Sequence, residues 1–165
     1  MNANTSETMI IERQLREFLG SIDALMMATV DDDGMPEASY APYIERDDCF
    51  YVFVSTLAAH TGNLQGAGKA SVLFMEPGPD GHAHTRKRLS CRCNATRIAR
   101  DEALFDDVLQ RMEARFGKLI ATLRGLGDFQ LFQLTPQSGN FVAGFGQAFE
   151  LDFPLGSGSR LKSPD

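Results

Sequence analysis

Long apolar runs are missing from this sequence, and cysteine and histidine are scarce, with three of each. Positive charge is outnumbered, with 16 lysines and arginines against 22 aspartates and glutamates. Each shortage closes off a class of protein. No stretch approaches the ~18 consecutive apolar residues of a membrane-spanning helix, so a soluble protein is expected. Cys49, Cys91 and Cys93 are too few, and odd in number, for a disulfide framework, which points to a reducing compartment. The leading residues MNANTSETMIIERQL carry acids where a secretory signal has a basic segment and then an unbroken apolar one. The cytoplasm is therefore the expected location. A net charge of −6 argues against broad nucleic-acid binding, which needs cations in excess on the binding face.

What is present is ordinary core material: 43% hydrophobic residues and 12 phenylalanines in 165 residues, enough for one core. Residues 1–155 are expected to form a single domain, with 156–165 a disordered Gly/Ser-rich tail. One local exception breaks the acidic balance. Arg86, Lys87, Arg88, Arg92 and Arg97 crowd one short segment, which suits a small anionic ligand better than a polymer. A solvated basic strand is the plain alternative.

Ile11, Leu15, Phe18, Leu19 and Ile22 recur at helical spacing behind a Ser6 cap, after a disordered start over residues 1–5. Ala24 to Val30, the turn Asp31-Asp32-Asp33-Gly34 and Pro36 to Ile44 read as a hairpin. Phe50 to Val54 and Ala70 to Met75 read as buried strands, joined by a loop or short helical turn over Leu57 to Gly66. From Arg88 to Thr96 alternation puts Leu89, Cys91, Cys93 and Ala95 on one face. One long amphipathic helix is predicted from Asp101 to Arg124, stopped by Gly125 and Gly127, and two strands follow at Phe129 to Leu134 and Phe141 to Leu151. Gly139, Gly144 and Gly146 read as bulges or tight corners. No βαβ alternation supports a parallel sheet. The expected fold class is mainly β with helices (α+β), an antiparallel β-barrel with the long helix packed on it, because closure removes exposed edges.

His82 and His84 followed by Cys91 and Cys93 lack the spacing of a zinc site, and the cysteines fall on the core face as small hydrophobes. No metal site is expected. Nor does any residue stand out as a general acid or base, so the catalytic residues, if any, are unassigned.

Several stretches in order resemble the FMN-binding split-barrel superfamily, the relatives of pyridoxamine 5'-phosphate oxidase, and within it the HugZ-type heme-utilisation branch. They are ALMMATVDDDGMPEASYAPY, FYVFVSTLAAHTGNL, KASVLFMEP, TRKRLSCRCNATRI, ARFGKL, GLGDFQLFQL and GNFVAGFGQAFEL. The resemblance implies a homodimer with cofactor sites at the subunit interface. It implies that Ser39 and Tyr40 face the cofactor, that Ser55 and Thr56 contact its polar tail, and that His60, Thr61 and Asn63 cap the same end. Arg86 and Arg88 would hold phosphate or propionate, with Lys87 turned away by strand alternation. Each has a structural alternative as a strand end, a core aromatic, a helix cap or a hydrogen-bonded histidine.

Three functions are then open. The first is an FMN-binding protein, with the flavin supplying any redox chemistry for a small-molecule substrate. The second is HugZ-like heme binding or degradation. There the resemblance implies an iron-ligating histidine in the C-terminal extension, supported by an acid that Asp128 matches. Residues 151–165 carry no histidine, which ranks flavin above heme. The third is a non-enzymatic cofactor carrier.

Overall fold

Phe129–Gly144 form one sixteen-residue strand that is hydrogen-bonded to three others, and it closes the sheet. The computed structural model describes residues 3–78, 82–155 and 159–161. In chain order these form α1 (Ala3–Gly20), β1 (Ala24–Val30), β2 (Pro36–Arg46), β3 (Cys49–Ser55), α2 (Ala59–Ala67) and β4 (Lys69–Met75). A 3-10 turn (Ala83–Thr85) follows, then β5 (Arg88–Ile98), α3 (Ala103–Phe116), α4 (Leu119–Gly125), β6 (Phe129–Gly144), β7 (Gln147–Asp152) and β8 (Ser159–Leu161). The sheet order is β3-β2-β1-β4-β5-β6-β7-β8, every pairing is antiparallel, and β6 also pairs back to β3. The result is a six-stranded antiparallel barrel, extended by β7 and β8, in an α+β fold.

Of the two expected closing strands, Phe129 to Leu134 is the first part of a longer β6, and Phe141 to Leu151 divides between the end of β6 and β7. The first part of β6, from Phe129 to Leu134, pairs with β3, and its last part, from Ser138, pairs with β7. A register shift between Arg92 and Cys93 of β5, opposite Ser138 and Pro136, lets one strand serve both neighbours. A proline that donates no ladder hydrogen bond is tolerated at such a step. Another shift lies between Val142 and Gly144, where glycine was read as a corner.

β3 is buried on both faces, which explains its unbroken aromatic run. Phe50, Val52 and Val54 enter the barrel core, while Tyr51 and Phe53 pack outward with Ile44, Ile98 and Leu131 under α3. α1 and α2 plug opposite ends of the barrel. At the α1 end, Tyr43 donates to the Leu19 carbonyl at 2.8 Å and Phe18 lies 5.8 Å from Phe141. At the α2 end, Leu64 and Thr61 are the buried residues of the helix. The β2–β3 connection is a two-residue turn, with Asp47 and Asp48 both at positive φ, and Asp48 also pairs with Arg16 at 3.0 Å. Cys91 and Cys93 are 2% and 3% exposed, as core hydrophobes should be, and burial pushes the Cys93 thiol up to about 12.

Three expectations change. α1 already includes residue 6 and starts at Ala3, so Ser6 is not its cap, and residues 3–5 are helical rather than disordered. Ser159–Leu161, assigned to a tail, pair with β7, while 156–158 and 162–165 lie outside the described residues. The single helix from Asp101 to Arg124 is two helices. Gly117 sits at φ +84°, ψ −172°, which no helical turn accommodates, and α4 begins after it. Among the described residues no helix is long and apolar enough to cross a membrane.

This break makes a sharp prediction. In a continuous helix, Gly117→Ala would stabilise by up to about 1 kcal/mol through propensity. At the observed backbone conformation it should instead destabilise by about 1–2 kcal/mol, read as a lower denaturation midpoint in urea.

Candidate functional site

The strand register sets where each candidate residue falls. β1 runs from the α1 end to the α2 end, so Thr29 lies under α2 with Glu37 opposite it. There the Asn63 amide donates to Thr29 Oγ1 at 3.1 Å and to Glu37 Oε2 at 2.6 Å. Thr61, wholly buried, donates to the Ser55 carbonyl at 2.5 Å. Both side chains are therefore engaged in fixing α2 to the barrel.

Ser55 is tied to a residue far away in sequence. Its hydroxyl donates to Asp128 Oδ2 at 2.7 Å, and the Thr56 N–H donates to the Asp128 carbonyl at 2.8 Å. Arg100 secures the same segment by donating to the carbonyls of Arg124, Leu126 and Phe129 at 2.9, 2.7 and 3.0 Å. The end of β3 and the start of β6 thus hold one half-exposed carboxylate beside an exposed Thr56.

His60 lies on the same helix, with Nε2 buried and without a hydrogen-bond partner. Burial lowers its pKa from the ordinary 6.5, against the opposing charge of Glu37. The Ser39 hydroxyl is likewise buried and unpartnered. Ser39 and Tyr40 do not share a face. Ser39 alternates with the buried Ala41 and Tyr43, whereas Tyr40 is 70% exposed on the barrel exterior, opposite Met26 of β1. Strand alternation forbids both from meeting a ligand on one side. Tyr40 belongs to an exposed exterior patch with Met26, Val30 and Met75.

Arg86 and Arg88 are at the other end of the barrel. Arg88 stands opposite Met75 of β4 and Val142 of β6, and its guanidinium donates to the Arg86 carbonyl at 3.2 Å. The Arg86 Nε is buried without a partner. Lys87 lines a 460 Å³ cleft with Gln14, Glu17 and Glu76. Ion pairs join Arg16, Arg46, Arg111, Arg115 and Arg124 to acids, but among the described residues none involves a cation from Arg86 to Arg97. His82 and His84 are exposed on the turn that leads into this segment.

The candidates therefore form two groups, separated by about 15–20 Å of strand at ~3.3 Å per residue. Within one protomer they do not meet, which is compatible with the expected site at a subunit interface. Glu37 has no predicted role, although its alternation with Ser39 on one face of β2 is a signal for one. Asp128, expected only as a match to the family, is the partner of Ser55.

An antiparallel barrel of this topology, with a basic strand start at one end and a hydroxyl-rich strand end at the other, is a split barrel. The chain belongs to the pyridoxamine 5'-phosphate oxidase family, whose model matches residues 11–143, and it falls in the HugZ-type branch. It is 37% identical over 142 residues to a Vibrio cholerae protein named heme oxygenase HutZ, covering 86% of this chain and 81% of that one. The crystal structure of V. cholerae HutZ, described as a heme storage protein, superposes with a TM-score of 0.72 at 35% identity, over 76% of this chain and 89% of that one. Campylobacter jejuni ChuZ superposes with a TM-score of 0.81 at 30% identity, over 89% of this chain; the match spans 61% of the ChuZ chain.

Two measurements test the assignments at the α2 end. Thr61→Val should lower stability by about 1–2 kcal/mol with no ligand present, because it strips a buried hydrogen bond. For His60, the unfolded chain takes up its proton near pH 6.5 and the folded chain only at lower pH. Stability should therefore fall as the pH drops below that value, and His60→Gln should lose less between about pH 7.5 and about pH 5.5, read from urea midpoints at both.

Proposed function

We propose that this chain binds heme as a homodimer of the HutZ kind. The observation that carries the reading is the similarity to HutZ, which spans both ends of the barrel and all the candidate residues. It reverses the earlier ranking, in which flavin stood above heme. The family match alone leaves flavin as the second reading.

The chemistry of the residues fits the anionic part of such a cofactor. Arg86 and Arg88 carry charge that no described acid neutralises, and a guanidinium suits a propionate or a phosphate. His60 is a poorer iron ligand, because its Nε2 is enclosed within the protomer. The imidazoles open to a ligand among the described residues are His82 and His84, at the same end as the two arginines.

The two-ended arrangement favours a shared site. A second copy packed on the exterior patch of Tyr40, Met26, Val30 and Met75 would bury exposed apolar surface. It would also bring the Arg88 end of one subunit toward the Asp128 end of the other. Heme then meets residues of both chains, which supply position and electrostatics around it.

Titration of the purified protein with hemin should give a Soret shift that saturates at one hemin per protomer, while FMN in a parallel titration stays free. Saturable FMN binding without hemin binding would restore the flavin reading. Arg88→Ala should weaken hemin binding by about 1.5–3 kcal/mol, tenfold or more, the worth of a charge-assisted hydrogen bond. Unchanged affinity would reduce the basic strand to surface. Light scattering should report a dimer at micromolar concentration.

A further inference from the structure

The carboxylate of Asp128 stands on a turn that packing does little to hold. Leu126, Gly127 and Asp128 connect α4 to β6, and Leu126 is 44% exposed. Among the described residues, nothing beyond the chain neighbours lies within 4 Å of where a Cβ on Gly125 or Gly127 would sit. Hydrogen bonds from Arg100 fix the turn instead. Its Nη2 donates to the carbonyls of Leu126 and Phe129, which bracket Gly127 and Asp128, and its Nη1 donates to that of Arg124 at the end of α4. One planar fork thus pins both ends of the turn.

The guanidinium is itself oriented. It lies over the Phe105 ring at 5.5 Å, Phe105 packs edge-on against Phe53 at 6.1 Å, and Phe53 is 5.2 Å from Phe129. On the main chain, the Ala99 N–H donates to Glu102 Oε1 at 2.7 Å and the Glu102 N–H returns to the Ala99 carbonyl at 3.1 Å, closing a turn around Arg100. Among the described residues no acid pairs with it, so its charge is directed at carbonyls. We propose that Arg100 is a positioning residue of the cofactor site, setting where the Asp128 carboxylate stands against Ser55 and Thr56. It acts through Asp128 and not on the ligand. This deepens the heme reading and rests on it.

Hemin titration of the full chain and its variants, read with amide exchange, separates this role from mere support of the fold. Arg100→Gln should weaken hemin binding about tenfold, and Arg100→Lys, which keeps the charge but not the fork, should fall between it and the wild type. In an Asp128→Ala background, Arg100→Gln should change affinity by less than about twofold, because the group it positions is gone. Without hemin, the Thr56 N–H, which bonds the Asp128 carbonyl, should exchange about tenfold faster in Arg100→Gln, beyond any change shared with the amides of β1. If Arg100→Gln does not fold, Arg100→Lys carries the same cycle and the same exchange measurement. Equal loss with and without the Asp128 side chain would overturn the proposal, as would unchanged affinity or a Thr56 amide that follows β1. Each of those results leaves wild-type hemin binding, and so the heme reading, standing. A wild-type chain that takes no hemin would overturn the heme reading and this role in it together.

Discussion

The pairing of β3 with the first part of β6 is the contact on which the rest of the structure depends. From Phe50 opposite Leu134 to Ser55 opposite Phe129, it joins the ends of a six-stranded sheet and leaves no open edge in the barrel. Closure requires one strand to serve β3, β5 and β7, so β6 is long and carries register shifts. It also creates the two cores. Residues of β3 that face inward fill the barrel, and those facing outward need α3 to cover them. The same pairing places Asp128, the residue before β6, against the hydroxyl of Ser55 at the end of β3.

Antiparallel pairing has a second consequence. Strand starts and strand ends alternate between the two mouths of the barrel, so chemistry that is close in sequence order becomes distant in space. The hydroxyls after β3 and the carboxylate before β6 meet at one mouth. The arginines before and at the start of β5 stand at the other, the mouth at which β6 ends. A flat anionic cofactor bridging two subunits would use both mouths, which is the sense in which the proposed dimer completes the site.

Much of this was legible in the residues. β1 to β5 announced themselves through turn signals and alternation, and the buried face of Cys91 and Cys93 followed from the period of two. The break at Gly117 was not, because Leu104 to Leu123 keeps its apolar spacing through a residue whose backbone alone departs from the helix. α2 was read as a loop or short turn because it buries only Thr61 and Leu64, too few for a periodic signal. At the site, residue types were readable and their commitments were not. Thr61 and Asn63 are consumed by hydrogen bonds inside the protomer, and Ser55 finds its partner 73 positions away. Only the folded register separates groups that hold the barrel together from groups left open to a ligand.

The central claim is that each cofactor site is assembled from the Arg88 end of one subunit and the Asp128 end of the other. Mixed dimers test it most directly, pairing an Arg86→Ala/Arg88→Ala chain with an Asp128→Ala chain. Each parent homodimer should bind hemin weakly, whereas the mixed dimer holds one site with both halves intact and should bind one hemin with wild-type affinity. A mixed dimer that binds no more tightly than its parents would contradict the shared site.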